Sequence, residues 1–156
     1  MEILIACTAI ACATMGGVFF AFSSFVMRAL ARMPPPQGIA AMQSINIVAV
    51  TPVFMTALFG TAAACVVVAA GAITDWQGVR TIYLLAGSLS YVIGTIVVTI
   101  ACNVPLNNAL AGLDPKSSDA LLFWPKYVRQ WTAWNHVRTV SGLVAAGLLT
   151  LAFMRT

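Results

Sequence analysis

Charge is what this chain has least of. Its 156 residues hold 8 Lys and Arg and 4 Asp and Glu, and none of these falls within 3–27, 33–74, 81–113 or 139–154. So few charges cannot cover the surface of a water-soluble domain of this size, whereas runs of about 20 apolar residues in helical form are what a hydrocarbon slab of roughly 30 Å demands. Other absences narrow the chemistry. Cys7, Cys12, Cys65 and Cys102 lie in apolar runs and none forms a Cys-x-x-Cys, which excludes a quinone-linked disulfide enzyme and leaves the thiols as small hydrophobes. A single histidine, His136, cannot hold a haem between two histidines of one chain, and a tetrahedral metal site lacks ligands unless Asp114 or Asp119 joins it. No carboxylate stands at mid-membrane, where a proton-coupled exporter needs one. Nucleophilic triads and phosphate-cradling loops are missing too. A net charge of +4 is too sparse for a nucleic-acid surface, so no nucleic-acid partner, no metal and no cofactor are expected.

What is present reads as one all-α domain, 1–156: an integral membrane four-helix bundle, with the lipid bilayer as its first partner. The chain opens Met1-Glu2 rather than with a cationic segment, which predicts a retained first span over about 3–27 and not a cleaved signal. Leu4-Ile5-Ala6-Cys7 has the form of a lipoprotein box but stands too near the start. Met33-Pro34-Pro35-Pro36-Gln37-Gly38 breaks the helix after Arg28 and Arg32. The second span is expected over 45–73 with a kink at Pro52, and the third over 81–102, bent or ended by Pro105. The stretch from Asn108 to Pro125 reads as the longest and most polar loop. A final helix over 126–154, about 43 Å at 1.5 Å per residue, exceeds the membrane thickness, so its bilayer part is placed at about 137–154. Arg28, Arg32, Lys116, Lys126 and Arg129 gather at one face and Arg80 and Arg155 at the other. The positive-inside tendency then puts both termini outside a bacterial cell membrane.

Small residues recur at spacings of four: Ala9, Ala13, Gly17, Ala21; Ala86, Ser90, Gly94; Gly142, Ala146, Thr150. Such stripes let helix backbones approach in lipid, within the bundle or in a homo-oligomer. The polar side chains that carry chemistry collect at one depth. Trp131, Asn135, Arg138 and Gly142 share one face of the last helix, Asn103 and Asn107 are four apart at the end of the third span, and Asn46 opens the second. By the alternation of spans these meet Ser23, Ser24 and Arg28, which predicts a polar, aromatic-lined pocket. Each element also has a plainer role. Trp131 and Trp134 suit an aromatic belt, Arg138 can snorkel to phosphate, Asn103 and Asn107 can satisfy backbone groups freed by Pro105, and His136 points about 100° away from Asn135.

Gly16-Gly17-Val18-Phe19-Phe20-Ala21-Phe22-Ser23, Val26-Met27-Arg28-Ala29-Leu30, Met42-Gln43-x-x-Asn46, Asn103-x-Pro105-Leu106-Asn107 and Trp131-x-x-Trp134-Asn135-x-x-Arg138 together resemble the anthrone oxygenase-like integral membrane family. The resemblance covers nearly the whole chain in order. It implies a four-helix membrane protein whose relatives oxidise anthrones to anthraquinones with molecular oxygen and no evident cofactor. An anthrone loses a benzylic proton to give an electron-rich enolate, so the protein must bind a flat apolar substrate, assist deprotonation and stabilise an oxyanion. Carried to this chain, the resemblance implies His136 as base and Arg138 and Asn135 as oxyanion partners. Asn103, Asn107 and Asn46 then orient substrate oxygens, and Trp131, with Trp134, stacks on the ring. The alternative is a non-catalytic membrane protein that binds a lipid, quinone or other hydrophobic small molecule, or a partner subunit. A third reading is a metal or haem completed across a dimer by His136 of each copy.

Overall fold

Lipid offers no partner to an unpaired N–H or C=O, so a spanning chain must close its hydrogen bonds within helices or around a closed barrel. The computed structural model describes residues 1–155, and among these it holds helices and short turns with no strand. The helices are α1 (Glu2–Arg32), α2 (Pro35–Val48), α3 (Pro52–Thr74), α4 (Val79–Ala111) and α5 (Ser118–Phe153). All but α2 are long and apolar enough to cross a bilayer, and α5 is the longest at 36 residues. The protein is an integral membrane four-helix bundle with one additional helix at one end.

Three boundaries differ from the sequence reading, each for a local reason. The uncharged run over 33–74 is two helices rather than a span starting at Ile45, because Thr51 turns extended (φ −96°, ψ 151°) and caps α3. Its Oγ1 accepts from the Phe54 N–H (3.4 Å) and Pro52 takes the first turn, where a missing N–H costs little. The expected long loop before Pro125 shrinks to 112–117, since α4 runs on to Ala111 and Ser117 Oγ accepts from the Ala120 N–H (3.2 Å) to start α5. Pro105 does not end α4. The helix widens into π-type turns over Val92–Val97 and Thr99–Asn103, and this slack relieves the clash that a proline ring makes with the carbonyl four residues earlier.

α1 and α5 approach backbone to backbone, where a Cβ added to Gly142 would stand 3.0 Å from Gly16 Cα. On the other side of α5 a Cβ at Gly94 would meet Ser141 Oγ at 1.9 Å, so side-chain volume is excluded at both contacts. Gly17, on the expected stripe, faces open space. Two buried clusters follow. One lies along the spans, with Met15, Leu58, Tyr91 and Leu149, and in it Cys12 Sγ and Cys65 Sγ, far apart in sequence, stand 3.8 Å apart. The other, with Met27, Met42, Trp124, Tyr127 and Trp131, packs α2 onto the outer turns of α5. At the opposite end Arg80 pairs with Glu2 and its Nε donates to the Ala152 carbonyl (3.2 Å). That tie brings the start of α1, the start of α4 and the end of α5 to one face.

Candidate functional site

The site lies between the two clusters, where α1 and α4 both carry π-type turns. Extra residues in such turns re-aim side chains and are frequent at functional positions. From α5, Asn135 is fully buried and Arg138 is 5% exposed. Asn135 Nδ2 donates to the Phe19 carbonyl (2.7 Å) and to Ser23 Oγ (2.7 Å), and its Oδ1 accepts from Arg138 Nη2 (2.7 Å). Thr139 Oγ1 donates to the Asn135 carbonyl (2.9 Å) and lies 3.1 Å from Ser23 Oγ. With its amide held at three points, Asn135 fixes where the guanidinium goes.

Arg138 carries a buried charge with no carboxylate beside it; among the described residues the one ion pair is Arg80 with Glu2, at the far end. Its carbon centre lies 4.5 Å from the Phe19 ring centroid and 4.9 Å from that of Trp131, contacts worth about 2 kcal/mol each when desolvated. Nη1 makes one long bond to Thr99 Oγ1 (3.4 Å), and Nε is buried without a partner. A buried cation normally has an anion or a full set of hydrogen bonds. Here the residue lines a cavity instead.

That cavity holds about 390 Å³ and is lined by Phe19, Phe22, Met42, Asn46, Met55, Leu58, Thr99, Asn107, Trp131 and Arg138, among others. Its size falls within the range of about 300–1,000 Å³ usual for small-molecule sites, as does its make-up of apolar walls with a few fixed polar groups. Asn107 Oδ1 accepts from Trp131 Nε1 (2.8 Å) and Tyr127 Oη (2.9 Å), which fixes the indole with Arg138 over its ring and the Phe22 ring tilted 50° to it at 5.6 Å between centroids. A second recess of about 400 Å³ shares Asn46, Val50, Val104 and Asn107 with the cavity, so the two voids abut at these four side chains.

The structure therefore gathers Arg138, Asn107, Trp131 and Asn46 on one cavity, with Asn135 behind Arg138. Asn103 supports the site from the side: its Nδ2 donates to the Trp131 carbonyl (3.2 Å), and its buried Oδ1 has no partner. Two residues fall elsewhere. Trp134 is 42% exposed, and His136 lines a separate groove with Ser23, Arg28 and Arg129. One residue's advance along a helix turns the side chain by about 100°, which carries His136 past the cavity. Phe19, Thr99, Tyr127 and Thr139 belong to the site without having been singled out. Tyr127 continues the Trp131–Asn135 spacing by one turn, a signal that was available; Phe19 and Thr99 are set by contacts between helices that spacing does not encode.

Fold and site together define an integral membrane helical bundle with a ligand-sized cavity at one end, walled by aromatics and carrying a buried cation. A family model described as Anthrone oxygenase matches residues 53–148, well over half of the chain, and the chain belongs to that family. The matched segment includes Asn103, Asn107, Trp131, Asn135 and Arg138, whereas Phe19, Ser23 and Asn46 precede it. No curated protein and no solved structure matches the chain.

Proposed function

We propose that the protein is a membrane-embedded oxygenase that oxidises a small hydrophobic, anthrone-like aromatic with molecular oxygen and without a cofactor. The observation that carries this reading is Arg138: a guanidinium buried between two aromatic rings, lacking a carboxylate, at the wall of an apolar cavity. A flat substrate fits against Trp131 and Phe22 with its carbonyl oxygen toward Arg138. Removal of a benzylic proton moves negative charge onto that oxygen. A fixed cation against apolar walls lowers the free energy of the resulting enolate far more than bulk water does. The enolate carbon then reduces dioxygen to a hydroperoxide, which loses water to leave the quinone; one oxygen atom ends in the product and the other in water.

In this reading Arg138 is the catalytic residue, and Asn135 and Thr99 are positioning residues. His136 is not assigned the base, since it lines a different groove; the proton leaves to water that reaches the cavity through the abutting recess. Purified protein in lipid nanodiscs supplied with anthrone should consume oxygen and form the quinone absorption band. Arg138→Gln should lower the rate about 100- to 1,000-fold, the loss typical of removing one oxyanion donor. No oxygen uptake by the unaltered protein would defeat the proposal. The absence of a histidine or carboxylate from the residues lining the cavity favours a second reading, a non-catalytic binder of a quinone or similar apolar molecule. The two separate at Asn107 and Arg138: a catalyst altered there loses turnover with ligand retained, and a binder loses occupancy.

A further inference from the structure

The groove that holds His136 is a site in its own right. It encloses about 380 Å³ between the outer turns of α1 and α5, and its polar lining is Ser23, Arg28, Arg129, Thr132 and His136. Arg129, Thr132 and His136 lie at i, i+3 and i+7 on α5, so they share a face. Arg28 and Arg129 are exposed and make no ion pair among the described residues, and no carboxylate lines the groove. Thr132 Oγ1 is buried without a hydrogen-bond partner, although a helical threonine usually bonds back to the preceding turn. Two cations, a histidine and a spare hydroxyl therefore converge on one concave surface, and among the described residues no carboxylate neutralises them.

Depth says what meets that surface. Counting about 20 residues of hydrocarbon span from the start of α1 ends near Phe22, and counting back from the end of α5 ends near Trp134. Both counts place Ser23–Ala31 and Val128–Ala133 at the headgroup layer, with His136 within one turn of it. We infer that this groove binds the phosphate of an anionic phospholipid headgroup, with Arg28 and Arg129 on its oxygens, Thr132 as an added donor and the acyl chains along the apolar outer face of α1. Scattered interfacial arginines need no such recess to reach phosphate. Arg32, one turn beyond Arg28 and exposed, does not line the groove and serves as the control. The site is independent of the oxygenase reading, because Arg138 lines the other cavity.

The test is native mass spectrometry of the full chain released from nanodiscs of mixed phosphatidylglycerol and phosphatidylcholine, with thermal unfolding as a check on folding. Phosphatidylglycerol should be retained at least tenfold over phosphatidylcholine. Paired Arg28→Gln and Arg129→Gln should abolish the preference and Thr132→Val should weaken it, while Arg32→Gln leaves it intact. Because Arg28 and Arg129 are exposed without an ion pair and Thr132 Oγ1 has no hydrogen-bond partner to lose, the variants should unfold at the temperature of the unaltered protein. An equal loss in Arg32→Gln would show a general surface-charge effect and overturn the site. Displacement of the lipid by millimolar inorganic phosphate would assign the groove to a free anion and overturn the lipid assignment, as would equal retention of both lipids.

Discussion

Arg138 and His136 stand two residues apart, and the helix sends them to different voids. Chemistry alone nominates His136 as a base, because an imidazole is the side chain most often used to take up a proton; geometry gives the cavity to Arg138. The consequence is measurable: His136→Ala should keep oxygen consumption within about twofold of the unaltered protein, and a loss approaching that of Arg138→Gln would restore the histidine to the mechanism. The i, i+4, i+7 face of Trp131, Asn135 and Arg138 was legible in the sequence because one helix carries it. That Asn135 spends its amide on the Phe19 carbonyl and Ser23 was not, since partners more than a hundred residues away leave no periodic trace.

At the scale of elements, charge marks where water is excluded but not where a helix begins. The uncharged run over 33–74 conceals the break before Pro52, and only the Thr51-Pro52 pair, a capping residue followed by a first-turn proline, announces it. Ser117 announces α5 by its cap alone, with no proline behind it. Pro105 carried the opposite signal and was overridden by the π-type turns before it, whose looser geometry no propensity reports. The break between α2 and α3 has a use. Val50, in that break, and Val104, on α4, line both the cavity and the recess beside it, so a ligand moving between the voids passes them. Val104→Trp should narrow the passage and slow substrate binding, seen as kcat/KM falling about tenfold or more while kcat at saturation changes little. Unchanged kcat/KM would place the route elsewhere.

For the whole molecule, the four-span all-helical architecture was readable from the spacing of charges, because the bilayer imposes one solution on a chain this apolar. Which side faces the cytoplasm is a separate matter. The face with Arg28, Arg32, Lys116, Lys126 and Arg129 carries most of the cations, and on the positive-inside tendency we propose that it is the cytoplasmic one. In a background with the four native cysteines replaced, a cysteine at Ser117 should resist a membrane-impermeant maleimide in intact cells, and one at Gln77 should react. The reverse pattern would invert the orientation and leave the site chemistry untouched.

In the proposed reaction Arg138 holds negative charge on the oxygen of a bound aromatic. Its most direct measure is an absorption titration of a hydroxyanthraquinone bound to the protein in nanodiscs, since ionisation of the hydroxyl changes its colour. Bound to the unaltered protein, the ligand should ionise at least one pH unit below its value in empty nanodiscs, a shift of about 1.4 kcal/mol, and Arg138→Gln should erase the difference. A bound ligand that ionises at the same pH with or without the guanidinium would contradict the account.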